Sequence, residues 1–410
     1  MREMKDSGIE WIGEIPKNWK TCRLKDYAHI CNGRDYSEVL DELGDYPVIG
    51  SGGQFAKACE PLYQKESVLL GRKGTIDKPL FVDHPFWTVD TMYYTEIKEN
   101  VSGKYFYYLC TQIEFDFYQY GSAVPSMTQR DLYNVNFPYP TLDEQRRIAD
   151  FLDRKCSQID AIIARQQEVI EKLKAYKLSV ITEAVTKGLN PDVPMKDSGV
   201  EWIGEIPEHW IVSSLRYGLQ NIQTGPFGSQ LHAEDYIEDG VFVINPANIV
   251  EGFIVPDNRC SITFKKAQEL SRHFLNKGDI IFARRGEMGR CAYFSGDAQQ
   301  YLCGTGCIKM QCNPNLLPEF IAWFLQTSCV KQYLTLNSVG TTMANLNTTI
   351  ISGIPAVFPP ICEQEKIVQY IKSKINKIDC VLKNEVRIVD KLTEYKKSLI
   401  YEVVTGKKEV

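Results

Sequence analysis

Residues 4–16 have the sequence MKDSGIEWIGEIP, and residues 195–207 have the sequence MKDSGVEWIGEIP. The two stretches differ only at Ile9, which becomes Val200, and Trp19 follows the first as Trp210 follows the second. Chance does not produce such a match, so the chain is internally duplicated, and the duplication has to be recognised before a fold is assigned. We call this stretch the short repeat.

A second and more divergent repeat lies further along each half. Its matched pairs are Glu144-Gln145 with Glu363-Gln364, Ile159-Asp160 with Ile378-Asp379, and Tyr176-Lys177 with Tyr395-Lys396. The offset is 191 positions for the short repeat and 219 for this one, so the intervening segment is about 28 residues longer in the second half. The flanking segments are therefore alike, whereas the segments between them differ in length and sequence.

Each copy of the second repeat is typical of a long amphipathic helix. Thr141 and Glu144 form a capping box after Pro140, and neither glycine nor proline interrupts the two stretches before Gly188 and Gly406. Apolar residues recur at three- and four-residue steps, which predicts helices of about 45 residues and roughly 70 Å at ~1.5 Å per residue.

An apolar stripe of that length needs a partner helix, and the other copy of the repeat can supply one within the same chain. We expect the two helices to form an intramolecular antiparallel coiled coil. Its predicted seam consists of Ile159, Ile162, Val169, Leu173, Tyr176, Ile378, Val381, Ile388, Leu392 and Tyr395. The alternative is that each helix packs only on its neighbouring module.

The intervening segments have short β-type runs separated by Gly, Pro, Asn and Asp, with short helices between them. We predict an α/β (α+β) chain with a pseudo-twofold internal repeat. Its predicted parts are residues 1–19 (first short repeat), 20–140 (first module), 141–190 (first long helix), 191–210 (second short repeat), 211–358 (second module) and 359–410 (second long helix).

Candidate residues for contact with nucleic acid lie in Gly-rich or polar loops of the two modules. The arginine guanidinium can donate two hydrogen bonds to a phosphate or to guanine, and the glutamine amide can form two hydrogen bonds with adenine. The candidates in the first module are Ser51, Gln54, Arg72, Lys73, Thr75, Ser122, Ser126, Thr128 and Gln129. Those in the second are Ser229, Gln230, Arg284, Arg285, Arg290, Thr341, Thr342, Asn345 and Asn347. The alternative is that these loops are solvated turns that only orient the following strands.

Several classes of protein are disfavoured. A net charge of −5 argues against a protein that coats nucleic acid without regard to sequence. Thirteen dispersed cysteines indicate reduced thiols, and the spacing of Cys291, Cys303, Cys307 and Cys312 favours buried thiols over a zinc site. No catalytic or cofactor-binding motif is recognisable, and the five histidines lack acidic or cysteine partners at a regular spacing. We expect no metal, a cytoplasmic location and no membrane association.

Together these features resemble the specificity subunit of a type I restriction–modification system. The most specific local marks are Pro138-x-Pro140-x4-Gln145-x2-Ile148 and Pro359-Pro360-x3-Gln364-x2-Ile367, each leading into a long helix. Gly225-Pro226-Phe227-Gly228-Ser229 resembles a loop near the start of such modules, and the first module lacks that version.

The resemblance implies a non-catalytic subunit whose modules each recognise one half of a bipartite site in double-stranded DNA. The helices would set the spacing between the half-sites. The repeated segments would dock two methyltransferase subunits, and motor–nuclease subunits would join the larger complex. S-adenosylmethionine, ATP and Mg are then expected only on those partners. The alternatives are a free-standing regulator that binds a gapped DNA site, a coiled-coil protein-interaction scaffold and, last, an enzyme with a diffuse active site.

Overall fold

The computed structural model describes residues 2–115, 125–286, 289–296, 300–337 and 346–410. The contacts divide the chain into two units: Met1–Glu168 together with Glu385–Val410, and Val169–Asn384. Both boundaries fall inside the long helices, so each unit contains one short repeat, one module and a segment of each long helix. None of the helices in the described ranges combines the length and hydropathy that a bilayer-spanning segment needs.

The module of the first unit is built on a four-stranded antiparallel sheet in the order β4-β10-β7-β8, beside a three-stranded sheet in the order β6-β5-β9. The strands of this unit are β1 (Met4–Asp6), β2 (Glu14–Pro16), β3 (Lys20–Arg23), β4 (Ala28–Asn32), β5 (Tyr46–Gly50), β6 (Gly53–Ala58), β7 (Ser67–Gly71), β8 (Leu80–Val82), β9 (Trp87–Thr88), β10 (Met92–Ile97) and β11 (Asn136–Tyr139). The helices are α1 (Leu24–Tyr27), α2 (Gly103–Cys110), α3 (Gln129–Asn134) and the first part of α4 (Leu142–Lys187).

The module of the second unit has a four-stranded sheet of the same form, β15-β24-β21-β22, and a second sheet in the order β16-β20-β17-β23. The strands of this unit are β12 (Met195–Asp197), β13 (Glu205–Pro207), β14 (Ile211–Ser214), β15 (Leu219–Thr224), β16 (Tyr236–Ile237), β17 (Val241–Ile244), β18 (Ile249–Val250), β19 (Phe253–Ile254), β20 (Ser261–Ile262), β21 (Ile280–Ala283), β22 (Cys291–Tyr293), β23 (Tyr301–Cys303), β24 (Cys307–Cys312) and β25 (Pro355–Phe358). The helices after α4 are α5 (Phe264–Glu269), α6 (Pro318–Leu325), α7 (Ser328–Asn337), α8 (Thr348–Ser352) and α9 (Ile361–Val404).

The short repeat forms a hairpin in each unit, β1–β2 and β12–β13, and packs on the end of a long helix. After α9, Gly406 has φ +75°, and a Cβ there would lie 2.5 Å from the Pro16 ring. After α4, Gly188 has φ +77°, and a Cβ would lie 3.1 Å from the Trp210 ring. Glycine therefore ends each long helix for two reasons: it adopts a left-handed conformation, and it leaves room for the short repeat.

Within each unit, the segments of α4 and α9 run antiparallel. In the first unit, Ile148 and Val403 line one small cavity, and further along α4 the Asp160 carboxylate accepts from Lys396 Nζ at 2.7 Å. In the second unit, the matching pair joins Lys177 Nζ to Asp379 at 2.6 Å. Because Asp160 matches Asp379 and Lys177 matches Lys396 in the repeat, both units use the same ion pair.

The predicted seam is only partly buried. Ile159 and Ile378 are buried, and Leu173 and Leu392 are half-buried. The other six predicted positions are exposed to between 39% and 54%: Ile162, Val169, Tyr176, Val381, Ile388 and Tyr395. A residue three positions beyond Ile159 is rotated by about 60° around the helix, which places it on the flank of the contact. The heptad assignment therefore does not describe these six positions, which are exposed apolar side chains of the long helices in both units.

A buried glutamine joins each module to its long helix. Gln145 Oε1 accepts from Ser102 N at 2.9 Å, and Gln364 Oε1 accepts from Leu317 N at 2.7 Å. Ser102 and Leu317 are the N-cap residues of α2 and α6, whose first amides have no partner inside the helix. Both glutamine side chains are fully buried, so the glutamine of the sequence motif is a structural contact.

Candidate nucleic-acid interface

The two modules share one backbone arrangement at the loop end of the four-stranded sheet. Gly33, which follows β4, donates its N–H to Met92 O at 3.0 Å, and Gly225, which follows β15, donates to Cys307 O at 2.9 Å. A Cβ would lie 2.0 Å from Val89 O at Gly33 and 1.9 Å from Gly304 O at Gly225. Only glycine allows such an approach, so these two residues are structural counterparts although the sequences around them differ.

The cationic loops occupy matching places, as the sequence predicts. Arg72 N donates to Thr91 O and Arg284 N donates to Gly306 O, both at 2.9 Å. The first arginine of each loop is held by its own module: Arg72 Nη1 reaches Asp90 O at 3.3 Å, and Arg284 Nε donates to Leu346 O at 3.0 Å. Both side chains are half-buried and serve to join loops.

The second cation of each loop is exposed. Lys73 and Arg285 follow the anchored arginines, and their side chains face solvent. The structure therefore separates two roles that the sequence presented as one pair: an anchoring cation followed by an accessible one.

The loop before each long helix pairs with the cationic loop in both modules. Met127 N donates to Arg72 O and Leu346 N donates to Arg284 O, both at 3.0 Å. The next residue caps a short helix in each case, because Thr128 Oγ1 accepts from Asp131 N at 3.2 Å and Asn347 Oδ1 accepts from Ile350 N at 2.8 Å. Thr128 and Asn347 thus act as N-caps of α3 and α8.

Ser51, Ser126 and Gln129 of the first module lie around the same loop end. Ser51 Oγ is 3.7 Å from the place of a Cβ on Gly74, and Lys73 forms a β-bridge with Ser126. Gln129 Nε2 lies 3.4 Å from Asn32 Oδ1, which brings the end of β4 into the group. Gln54 and Thr75 are exposed. Loops that are distant in sequence therefore converge on one surface.

The second module gives a more mixed result. Ser229 is exposed, whereas Gln230 Oε1 accepts from Phe227 N at 3.1 Å and closes its own loop. Arg290 is half-buried and follows Gly289 at the end of the cationic loop. Ser122, Thr341, Thr342 and Asn345 lie outside the described residues.

A buried polar cluster supports the second module beside the loop end. His273 is 2% exposed and its Nε2 accepts from Arg272 Nε at 3.0 Å. Burial, with Arg272 and Lys309 close by, lowers the pKa of His273 to about 4, so the ring is neutral at physiological pH. Lys309 donates to Phe274 O at 2.9 Å and lies 3.9 Å from Asp279, whose pKa is raised by burial.

Three of the clustered cysteines, Cys291, Cys303 and Cys307, are packed as core side chains, and Cys312 is half-buried. Burial raises the pKa of Cys291, Cys303 and Cys312 to about 12 and that of Cys307 well above its usual value. Zinc binds the thiolate form, which this environment disfavours. Within the described residues, no group of three or more His, Cys, Asp or Glu side chains could hold a metal ion.

Sequence reasoning missed the loop that begins at Gly33. It recognised Gly225 by the following residues, and the first module has Arg34-Asp35 in place of Pro226-Phe227. The detectable signal is a glycine directly after the first strand of each four-stranded sheet, at Asn32-Gly33 and Thr224-Gly225.

Known proteins match the chain over nearly its whole length. The family model described as type I restriction modification DNA specificity domain matches residues 16–172 and 221–388. The type I restriction enzyme MjaVIII specificity subunit of Methanocaldococcus jannaschii is 23% identical, over 96% of this chain and 93% of its own length. The EcoBI specificity subunit of Escherichia coli is 20% identical, over 99% of this chain and 89% of its own length.

A solved structure shares the fold. One chain from a study of complex assembly and conformational transition of the type I R-M system superposes with a TM-score of 0.69 at 14% identity, covering 96% of this chain and 99% of its own. Since the family model matches both halves, the chain belongs to the family of type I restriction–modification DNA specificity proteins.

Proposed function

We propose that the chain is the DNA sequence-specificity subunit of a type I restriction–modification complex, in which each module recognises one half of a bipartite site. The observation that carries this proposal is the shared loop end: Gly33, Arg72 and Met127 in one module match Gly225, Arg284 and Leu346 in the other. The backbone is the same while the exposed side chains differ, which is what two recognition sites of unlike sequence require.

The domain boundaries follow from the same correspondence. Strands β3 and β11 pair at the base of the first module, and β14 and β25 pair at the base of the second. We assign residues 20–140 and 211–358 as the two target-recognition domains, and residues 141–190 and 359–410 as the long-helix segments.

The long helices set the distance between the half-sites as an antiparallel pair. The matching ion pairs Asp160–Lys396 and Lys177–Asp379 support this, because each fixes the register of the helices within its own unit. The exposed apolar side chains of the long helices, such as Ile162 in the first unit and Val381 in the second, support a docking role toward methyltransferase subunits. The catalytic chemistry, with S-adenosylmethionine, ATP and Mg, then belongs to the partner subunits.

The test is selection of random duplex DNA by the chain assembled with its methyltransferase subunits, at increasing salt. We expect a gapped motif that persists after nonspecific binding has weakened, because base contacts remain when counterion release no longer favours binding. Selection of no motif, or of one continuous motif, would contradict the proposal.

A further inference from the structure

Arg34 is placed by its backbone at the loop end of the first module. Its N–H donates to Thr88 O at 2.9 Å, and its carbonyl accepts from Trp87 Nε1 at 3.1 Å. The preceding residue is Gly33, which packs against Val89 O in the way that Gly225 packs against Gly304 O. The position of the Arg34 Cα is therefore fixed on both sides by hydrogen bonds to β9.

The Arg34 side chain is exposed, and within the described residues its guanidinium has no hydrogen-bond or ion-pair partner. The adjacent carboxylate is already engaged, because Asp35 Oδ1 accepts from Ser37 N at 2.8 Å and these hydrogen bonds lower the pKa of Asp35. An arginine on a fixed backbone with a free planar fork is suited to a bidentate acceptor.

The backbones of Arg34 and of Lys73, the accessible cation of the first module, are bonded to the same turn. Arg34 N donates to Thr88 O, and Lys73 N donates to Thr91 O at 3.1 Å. Both backbones are therefore hydrogen-bonded to residues 88–91. The exposed Lys73 and the exposed Arg34 thus belong to one surface at the loop end.

The matching position in the second module distinguishes base recognition from phosphate binding. Pro226 follows Gly225 there, and it is buried and uncharged. A phosphate contact shared by the two modules would place a cation here in both of them. A side chain that changes on a shared backbone is instead expected where the two half-sites differ.

We propose that Arg34 determines specificity in the first half-site by donating both arms of its guanidinium to the O6 and N7 acceptors of a guanine. This rests on the proposed function of the chain. It adds a residue that the loop motifs do not identify, and it assigns the base that this residue selects.

The test is methylome sequencing of a host that carries the cognate methyltransferase with either the unaltered chain or Arg34→Ala. We expect one guanine of a single half-site to become degenerate, with about a tenfold to hundredfold loss of preference at that position, because a bidentate pair is lost. The other half-site and the spacer should stay unchanged. Arg34→Lys should relax the same position, since an ammonium has no fork.

Lys65→Ala is the matched control. Lys65 is an exposed cation of the same module, but it precedes β7, whereas the Arg72 loop follows that strand. The control should leave the motif intact. Where methylation by Arg34→Ala falls below detection, binding of the purified complex to duplexes with each of the four bases at every guanine position of the first half-site decides. Loss of the preference for guanine at one position supports the proposal, and a uniform loss of affinity contradicts it.

Three results would overturn the proposal: an unchanged motif with unchanged methylation, a uniform loss of methylation without degeneracy, or full specificity in Arg34→Lys. The first removes Arg34 from the interface, and the other two make it a phosphate contact or a point charge. If the unaltered chain itself directs no gapped motif, the proposed function fails, and that result is distinct from a failure of Arg34 alone.

Discussion

At the scale of single residues, Arg284 and Arg285 are adjacent but have different surroundings. Arg284 is half-buried and donates to Leu346 O, whereas Arg285 is exposed. Arg284→Ala should therefore lower the free energy of unfolding by about 1 kcal/mol, because a hydrogen bond between loops is lost. Arg285→Ala should leave stability unchanged. It should weaken recognition of the half-site that the second module binds, and methylation should fall as a result. Thermal unfolding and methylation assays of both variants separate the effects; equal stability losses would contradict these assignments.

His273 gives the second module a pH dependence whose sign follows from its lowered pKa. The ring is neutral in the folded chain down to about pH 4, but in the unfolded chain it binds a proton below about 6.5. Its contribution to stability is therefore complete above pH 6.5 and is lost as the pH falls toward 4. Asp279 acts in the opposite direction, since burial raises its pKa and protonation favours the folded state.

The difference between the unaltered chain and His273→Gln isolates the histidine. Denaturant unfolding between pH 7 and 4 should show a steeper loss of stability in the unaltered chain than in the variant. Parallel pH profiles would show that His273 does not titrate in this range.

At the scale of elements, the buried glutamines join each module to a long helix. Gln364→Ala would leave the Leu317 N–H without its acceptor at the start of α6, at a cost of about 1–3 kcal/mol. Gln369→Ala is the control, because Gln369 is exposed on the same helix. Chemical denaturation should show a loss for the first variant only; equal midpoints for both would contradict the role of Gln364.

Much of the element level could be predicted from sequence because the signals are local. The capping box at Thr141 and the glycines at 188 and 406 predict the long helices, which are found at Leu142–Lys187 and Ile361–Val404. The residues that form the contact between the two helices are harder to predict from sequence. Heptad spacing does not distinguish buried positions such as Ile159 from exposed flanking positions such as Ile162, because both kinds of position recur every seven residues.

The candidate recognition surface could be predicted only in part, because loops converge through long-range backbone contacts. Arg72 and Arg284 are recognisable as cations after an apolar strand, but their anchoring depends on Asp90 O and Leu346 O. Gly33 and Gly225 share their place after a strand but not the residues that follow, and the backbone contacts of Gly33 with Met92 O and Val89 O establish the correspondence.

At the scale of the whole molecule, the proposed spacing role makes a separate prediction. Inserting four residues into α4 after Glu168 and four into α9 before Glu385 would lengthen both helices by about 6 Å at ~1.5 Å per residue. The ion pairs Asp160–Lys396 and Lys177–Asp379 stay within their own units. Methylome sequencing should show a spacer longer by about one to two base pairs, at ~3.4 Å each, and unchanged half-sites. Changed half-sites with an unchanged spacer would contradict the spacing role.

The correspondence of the modules also defines where they can be exchanged. Lys20 pairs with Tyr139 at the base of the first module, and Ile211 pairs with Phe358 at the base of the second. One contact with the long helix has inverted charge, because Lys104 pairs with Asp153 whereas Glu319 pairs with Lys372. A copy of residues 20–139 placed over residues 211–358 should therefore carry Lys104→Glu in that copy.

Methylome sequencing of a host carrying this exchanged chain tests the central claim most directly. If each module recognises one half-site, two copies of the first module on antiparallel helices should direct methylation to an inverted repeat of the first half-site. Retention of the original second half-site would contradict the account, because its module would then be absent while its sequence choice persisted.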